Sequence, residues 1–588
     1  MVSKISNQTG NIEIVLTVYN NCDDAQLFWR TKVDASIDKP IPECVGYAIE
    51  RRRKLKNGQW GKPEILRNRV GFKEVENSDN KDITKPSFIW PFQTFYWTDH
   101  GATNGNVIQY RISAVKLPPN GILGESELEV IVDSGWTEAI RISGECSKGI
   151  SAFFNRGFVI SQFISRIMRQ KGWDKKKLKD QLKDLEEPVR RFLAGELRTA
   201  LINLLNEAIA NPDLSVYAAL YELSDPELIA LLKLLKGRAH IVLANGSDKK
   251  GDVNIQAREE LKNAEVDVKD RILKYKGLGH NKFLVVYDTS TDEALKVWTG
   301  STNWATTGLC TQVNNGILIE DSAIAGIYYE QWKLLEASKD DFPASLVDSN
   351  ADSPKKAGHV DVWFTRVRNP STKNVGIGSD LQALKDHVNS ANECVLYVMF
   401  MPGEEPLQSI MALPENILVK GVVSTLSSQN REKFALNGLA EREYKRRLVQ
   451  PEGIEKDFSY WLKEITRNEF LFPNKAPGIG HAITHSKMIV IDPHLSSCKV
   501  ITGSHNFSKS ASENNDENFV VVSGNRELAE AYAIACFATY SHYRWRAYIS
   551  DKFEKNEKVW SHLNDSPVWQ SEYMTNEKKK LLDIWCKF

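Results

Sequence analysis

His280-Asn281-Lys282-Phe283-Leu284-Val285-Val286-Tyr287-Asp288, followed by Gly300-Ser301-Thr302-Asn303-Trp304, has a counterpart about 200 residues later. The second stretch reads His485-Ser486-Lys487-Met488-Ile489-Val490-Ile491-Asp492, followed by Gly503-Ser504-His505-Asn506-Phe507. Asn303 follows His280 by 23 residues and Asn506 follows His485 by 21, and an apolar run closes each copy at Gly316–Ile319 and Phe519–Val522. Matching features in matching order mark an internal repeat. The apolar stretch after each lysine is short enough for a buried strand. On extended backbone, residues i and i+2 point to the same side, so each histidine projects with its lysine. The Gly-Ser turn then returns Asn303 or Asn506 beside them. Each half thus offers an imidazole, an ammonium and an amide, a donor set suited to a phosphate that gains negative charge during reaction. Two halves face to face would put one histidine on each side of a single phosphorus, one to attack and one to protonate the leaving oxygen.

The regions around the repeat agree with a two-lobed α/β protein. Before the first copy, strands are expected at Ser215–Tyr221 and Ala239–Ala244 with a helix at Asp225–Leu235, then strands at Lys282–Tyr287 and Ala294–Thr299. The second half repeats the order, with strands at Val360–Thr365, Glu393–Met399, Ile417–Val423 and Lys487–Ile491 and a helix at Asp380–Ser390. Strands alternating with helices imply a mostly parallel sheet covered on both faces. Phe153, Phe154, Val159, Ile160, Phe163, Ile164 and Ile167 recur at helical spacing, which predicts a helix opening the first lobe. The expected domains are a β-sandwich over 1–145, a first lobe over 151–350, and a second lobe over 358–588 carrying an insertion at 427–480. Within that insertion, Arg and Lys at 431–447 read as a solvated amphipathic helix or as a basic binding surface.

Residues 1–145 have another character. Short strands at Ile12–Val18, Leu27–Thr31, Val45–Arg52, Phe92–Trp97, Val107–Val115 and Glu127–Val132 are separated by Gly, Pro, Asn and Asp clusters, the pattern of an all-β sandwich. Trp29, Tyr47, Ile49, Tyr110, Ile112 and Ala114 fall on alternating positions that share one buried face. Gly46–Arg52 and Val107–Val115 resemble the third and sixth strands of a fibronectin type III-like domain, with Tyr110 in the place of its corner tyrosine. Such a module, lacking clustered His, Cys or carboxylate pairs, suits docking of a substrate or partner protein.

Composition excludes several classes. The 588 residues carry 76 Lys+Arg against 76 Asp+Glu, a net charge of zero, and 42% are hydrophobic. Wholesale disorder is excluded, and no global field attracts polyanions. No apolar run of 18 or more residues is present to span a bilayer, and the N-terminal residues lack a signal-peptide pattern, so a cytoplasmic location is expected. Eight scattered cysteines without a CxxC pair argue against a zinc site or disulfide framework. His481 and His485 stand four apart, but on a strand-like pattern with no glutamate between them, so metal ligation is not expected.

Taken together, the paired residues resemble the signature of the phospholipase D superfamily, HxKxxxxD followed by GSxN, which occurs twice in its two-domain members. The second copy, His485-x-Lys487-x4-Asp492, fits in full. In the first, the aspartate falls one residue late at Asp288, with Tyr287 in its place. The resemblance covers roughly residues 150–588. It implies two similar lobes about a pseudo-twofold axis, chemistry without metal or cofactor, and a phosphohistidine intermediate. Catalysis is then expected from His280, Lys282, Asn303, His485, Lys487 and Asn506, supported by Ser301, Ser504, Asp288, Asp492, Asn314 and Glu517.

In that superfamily a glutamate after GSxN often hydrogen-bonds the motif histidine. Glu517 holds the place 11 residues after Asn506, whereas Asn314 holds it after Asn303. A nearby carboxylate favours imidazolium, so His485 is expected to be the proton donor and His280 the neutral nucleophile. His505 is read as a solvent-facing turn residue or a substrate contact, and Trp304 and Phe507 as core or pocket walls. The superfamily cleaves nucleic acids, phospholipids and protein–DNA adducts. The local sequence GSHNFSKSASENNDEN leans to a nuclease. A phospholipase D-type hydrolase or transphosphatidylase on phospholipids and a catalytically silent binding protein are the alternatives.

Overall fold

The computed structural model describes residues 2–73, 83–157, 167–168, 170–246, 251–273, 277–350, 353–367, 376–426, 447–450, 484–557 and 562–588. These fall into two compact units, Met1–Gly144 with Trp545–Phe588, and Glu145–Arg467 with Ile479–Arg544; residues 468–478, grouped with the first, lie outside the described residues, as does most of the 427–480 insertion, including Arg and Lys at 431–446.

In the first unit one antiparallel sheet runs Ser3–Thr9, Ile12–Asn20, Ala25–Val33, Tyr96–Asp99, and a second runs Glu129–Asp133, Val107–Lys116, Gly46–Arg53, Glu64–Ile65. Trp29, Tyr47, Ile49, Tyr110, Ile112 and Ala114 are all fully buried, and so are Phe28 and Ala48 at the intervening positions, so these strands are covered on both faces. Phe92 lies outside any strand, making an isolated bridge to Tyr47. The Tyr110 hydroxyl donates to Asp99 Oδ2 at 2.8 Å, and Asp99 is also paired with Arg51. The stretch Trp545–Phe588, assigned from sequence to the second lobe, packs in this unit instead. Trp585 stacks on Phe28 at 5.0 Å, Tyr19 donates to the Trp585 carbonyl, and Trp569 donates to the Cys44 carbonyl. Burying these aromatics completes an interior that the strands alone leave open.

The second unit holds two larger sheets. The first runs Ile150–Phe154, Asn315–Ile319, Glu293–Gly300, Lys282–Asp288, Leu214–Leu220, Ala239–Ala244, Asp267–Arg271. The second begins with Lys355–Ala357 and then runs Val360–Phe364, Asn518–Ser523, Lys499–Gly503, Met488–Ile491, Cys394–Met399, Leu418–Val423, Leu448–Val449. Apart from that extra edge strand, the two orders correspond strand for strand. Both sheets are mainly antiparallel, which corrects the expectation of a mostly parallel sheet. Only the last two pairings of each, such as Leu214–Leu220 with Ala239–Ala244, are parallel. The motif strands reach their neighbours by short returns, as at Asp288–Glu293, and a short return enforces antiparallel pairing. Phe153 and Phe154 also differ from expectation, lying in an edge strand rather than a helix; residues 158–166 lie outside the described residues.

Helices cover the sheets. Pro226–Leu235 starts where Asp225 accepts from the Glu227 and Leu228 amides, with proline at its first position, where no amide hydrogen is required. The same carboxylate meets Arg190 at 2.9 Å with both side chains fully buried, compensating the charge of each.

Candidate active site

Each motif turn is possible only because of its glycine. A Cβ on Gly300 would stand 2.4 Å from the Asn315 carbonyl oxygen, and one on Gly503 would stand 2.2 Å from that of Asn518. This close approach brings Ser301 against Asn314 and Ser504 against Glu517, each hydroxyl donating at 2.8 Å to the side-chain oxygen.

The two halves then exchange partners. Glu517 Oε2 accepts from His280 Nδ1 at 2.7 Å, and Asn314 Oδ1 accepts from His485 Nδ1 at 3.0 Å. The sequence reading paired Glu517 with His485 in its own half; the structure corrects this, because the carboxylate reaches across to the other half. The crossing recurs below the site. Thr299 donates to Asn518 at 2.7 Å, Asn315 donates to Thr502 at 2.6 Å, Tyr328 hydrogen-bonds Asn518 and Asn315 hydrogen-bonds Tyr532. On one flank Arg271 forms a buried ion pair with Asp516, whose backbone accepts from the His280 amide.

His280, Lys282, His485 and Lys487 are all buried. The lysine ammoniums are anchored on the carbonyls of their own motif histidines, at 2.7 Å for Lys282 and 2.6 Å for Lys487. Lys487 Nζ also lies 3.0 Å from His485 Nε2. Two residues that sequence reading missed complete the walls: Tyr221 packs edge-on against His280 at 4.6 Å, and Phe400 packs against His485 at 4.7 Å. Both directly follow a central strand, Leu214–Leu220 or Cys394–Met399, and an aromatic at matching places in a repeat was the available signal.

Burial governs the titration of the site. It pushes His280 down to about 4, against the raising effect of Glu517, and drives His485 well below its ordinary value, helped by the charges of Lys487 and Lys282. Lys282 is brought to about 7 by burial, opposed by Glu517 and Glu222, and Lys487 is likewise well below the usual ammonium range. For Glu517 burial acts upward, but the neighbouring His280 and Lys282 outweigh it and hold the carboxyl below its normal range. At neutral pH the ligand-free site therefore holds neutral imidazoles and an ionised Glu517. An arriving anion favours proton uptake.

The remaining expected residues divide. Asn303 donates to Glu222 Oε2 at 2.7 Å, and Asn506 lies in the matching turn with its amide oxygen buried. Asp492 instead accepts from the backbone amides of Asn392, Glu393 and Cys394 at 2.8, 2.8 and 2.9 Å, pinning the start of a strand. Asp288 caps its own hairpin through Ser290 and Thr291. His505, expected in solvent or against substrate, is fully buried, 3.2 Å from Asp380, and accepts from the Phe507 amide. Trp304 and Phe507 are core residues. Among the described residues no cluster of three His, Cys, Asp or Glu is arranged to hold a metal ion, and no helix is long and apolar enough to cross a membrane.

Residues 384–535, which include His485, Lys487 and Asn506, match the family model described as cardiolipin synthase, PLD-like domain. The chain is 46% identical over 86 residues to a protein named Phospholipase D from Rickettsia felis, a match spanning 14% of this chain and 38% of that protein. Among solved structures it is similar to Nuc from Salmonella typhimurium, a phospholipase D family member, with 20% identity, 24% of this chain and 90% of that one covered, and a TM-score of 0.20. It is also similar to phosphatidylserine synthase from Haemophilus influenzae, with 12% identity, 67% and 94% covered, and a TM-score of 0.37.

Proposed function

We propose that this chain is a phosphodiesterase that works without a metal, through a covalent phosphohistidine, with His280 as nucleophile and His485 as acid and base. The observation that carries the reading is the unequal pair of crossed hydrogen bonds, Glu517 on His280 and Asn314 on His485. A carboxylate on Nδ1 makes Nε2 of His280 more nucleophilic and stabilises the cation formed when Nε2 bonds to phosphorus. An amide oxygen on His485 fixes its tautomer but compensates less charge, leaving protonated His485 the stronger acid. The sequence assignment of roles is thus kept on the opposite argument.

In the first step Nε2 of His280 bonds to phosphorus, the bond to the leaving oxygen breaks, and the proton on His485 Nε2 passes to that oxygen. In the second, water gives a proton to His485 and its oxygen bonds to phosphorus as the phosphorus–nitrogen bond breaks. Lys282, Lys487, Asn303 and Asn506 hold the non-bridging oxygens. The matching strand orders and crossed bonds support two lobes related by a pseudo-twofold axis. The antiparallel sheets of the first unit support a fibronectin type III-like sandwich, to which we assign the docking of substrate or partner.

The substrate we favour is a nucleic acid, following the sequence around Asn506. A phospholipid, hydrolysed or transferred to an alcohol, is the second reading, favoured by the description of the matching family model and the name of the Rickettsia relative. The test is incubation with plasmid, single-stranded DNA, RNA, and phosphatidylcholine or cardiolipin vesicles, all in EDTA. Quenching in alkaline detergent, which preserves the acid-labile phosphorus–nitrogen bond, should trap label from the cleaved substrate on wild-type protein and none on His280→Ala. Loss of turnover in EDTA, or label retained on His280→Ala, refutes the mechanism.

A further inference from the structure

One carboxylate in the site has no role in the steps above. Glu222 follows Tyr221 at the end of the strand Leu214–Leu220 and is held there by backbone bonds to the turn carrying Asn303. The Trp304 amide donates to the Glu222 carbonyl at 3.1 Å, and the Ser224 and Asp225 amides donate to the Trp304 carbonyl at 2.9 and 3.0 Å. The half-buried side chain thereby lies on the motif amide, accepting from Asn303 Nδ2 at 2.7 Å. The other half is clamped in the same way, with the Gly403 amide donating to the Phe507 carbonyl at 2.9 Å. Its residue after Phe400, however, is Met401, apolar and 45% exposed. The negative charge is therefore one-sided, and it acts on both Lys282 and Lys487.

We infer that Glu222 selects substrates by charge, admitting a singly charged phosphodiester and disfavouring doubly charged phosphate monoesters. This rests on the reading of the site as a phosphate cradle. Glu517 and Glu222 both act on Lys282 and Lys487, whose ammonium forms burial already disfavours, so the charge of an arriving anion must be matched by protons taken up by those lysines and His485. A dianion needs one more such proton than a monoanion, or leaves an extra negative charge in a site where uncompensated charge is costly. Because Coulomb energy scales with ligand charge, neutralising Glu222 helps a dianion about twice as much, on the logarithmic scale, as a monoanion.

Sulfate and methyl sulfate are tetrahedral oxyanions of fixed charge, two and one, and neither requires turnover. Calorimetric titration of both into the full chain should show Glu222→Gln, which preserves an acceptor for Asn303, binding sulfate roughly tenfold tighter and methyl sulfate about threefold tighter. Glu222→Ser, removing the charge differently, should shift the preference the same way. Equal tightening of both anions, or weakening of either, overturns the inference while leaving the cradle intact. Lys487→Met separates the two readings: if sulfate binds it as it binds wild type, the anions lie elsewhere and the phosphate-cradle reading falls as well.

Discussion

The crossed bond from His280 to Glu517 makes replacement of Glu517 by glutamine the most informative perturbation. A unit charge about 4 Å from the imidazole centre, at an effective dielectric constant near 20, stabilises the phosphoimidazolium by about 4 kcal/mol. A glutamine oxygen in the same place restores a neutral hydrogen bond worth about 1 kcal/mol. The net loss of about 3 kcal/mol corresponds to roughly 100-fold slower formation of the covalent intermediate. Glutamine also turns an NH2 toward Asn515 Nδ2, which donates to Glu517 Oε1 at 3.1 Å, and this donor–donor contact costs about 1 kcal/mol of stability. The assay is stopped-flow release of phenolate from aryl phosphodiesters of graded leaving-group acidity, with thermal unfolding as a control on folding. The slowing should be similar for every leaving group, because the nucleophile is impaired rather than the acid. A loss under threefold, or one that grows as the leaving group becomes more basic, refutes His280 as nucleophile.

The two motif aspartates should behave differently from each other. Asp492→Ala frees three backbone amides and should cost about 2–4 kcal/mol in chemical denaturation, whereas Asp288→Ala, in an exposed turn, should stay within about 0.5 kcal/mol. Equal costs would contradict the placement of Asp492. The depressed Lys282 also predicts a pH dependence of stability. Between its folded value of about 7 and its unfolded value near 10.4, the unfolded chain holds a proton that the folded chain has released, so stability of the ligand-free protein rises with pH across that window. The slope from this one group approaches about 1.4 kcal/mol per pH unit, and Lys282→Met should remove its share; an unchanged slope counts against burial as the cause.

The chemistry-bearing residues were legible because their spacing repeats. His280, Lys282 and Asn303 match His485, Lys487 and Asn506, and the same apolar runs form the central strands of two corresponding sheets. What spacing does not encode is which half a side chain serves. Glu517 stands near His485 in sequence order yet bonds His280, because the turn at Gly503-Ser504 directs it across the seam. Strand direction was misread for a related reason: alternating helices suggested crossovers, but the motif strands return by short turns such as Asp288–Glu293. His505 reads as a surface turn residue because the buried side chain it meets, Asp380, is 125 positions away.

The packing of Trp585 and Cys586 against Tyr19, Phe28 and Thr17 ties folding of the first unit to the order of synthesis. While a ribosome is still making the lobes, the early β-strands lack the aromatic plug that seals them and keep sticky surface uncovered. Shortened chains that stop before Trp545 should accordingly aggregate even though every β-strand of that unit is present, and supplying 545–588 as a separate peptide should restore solubility.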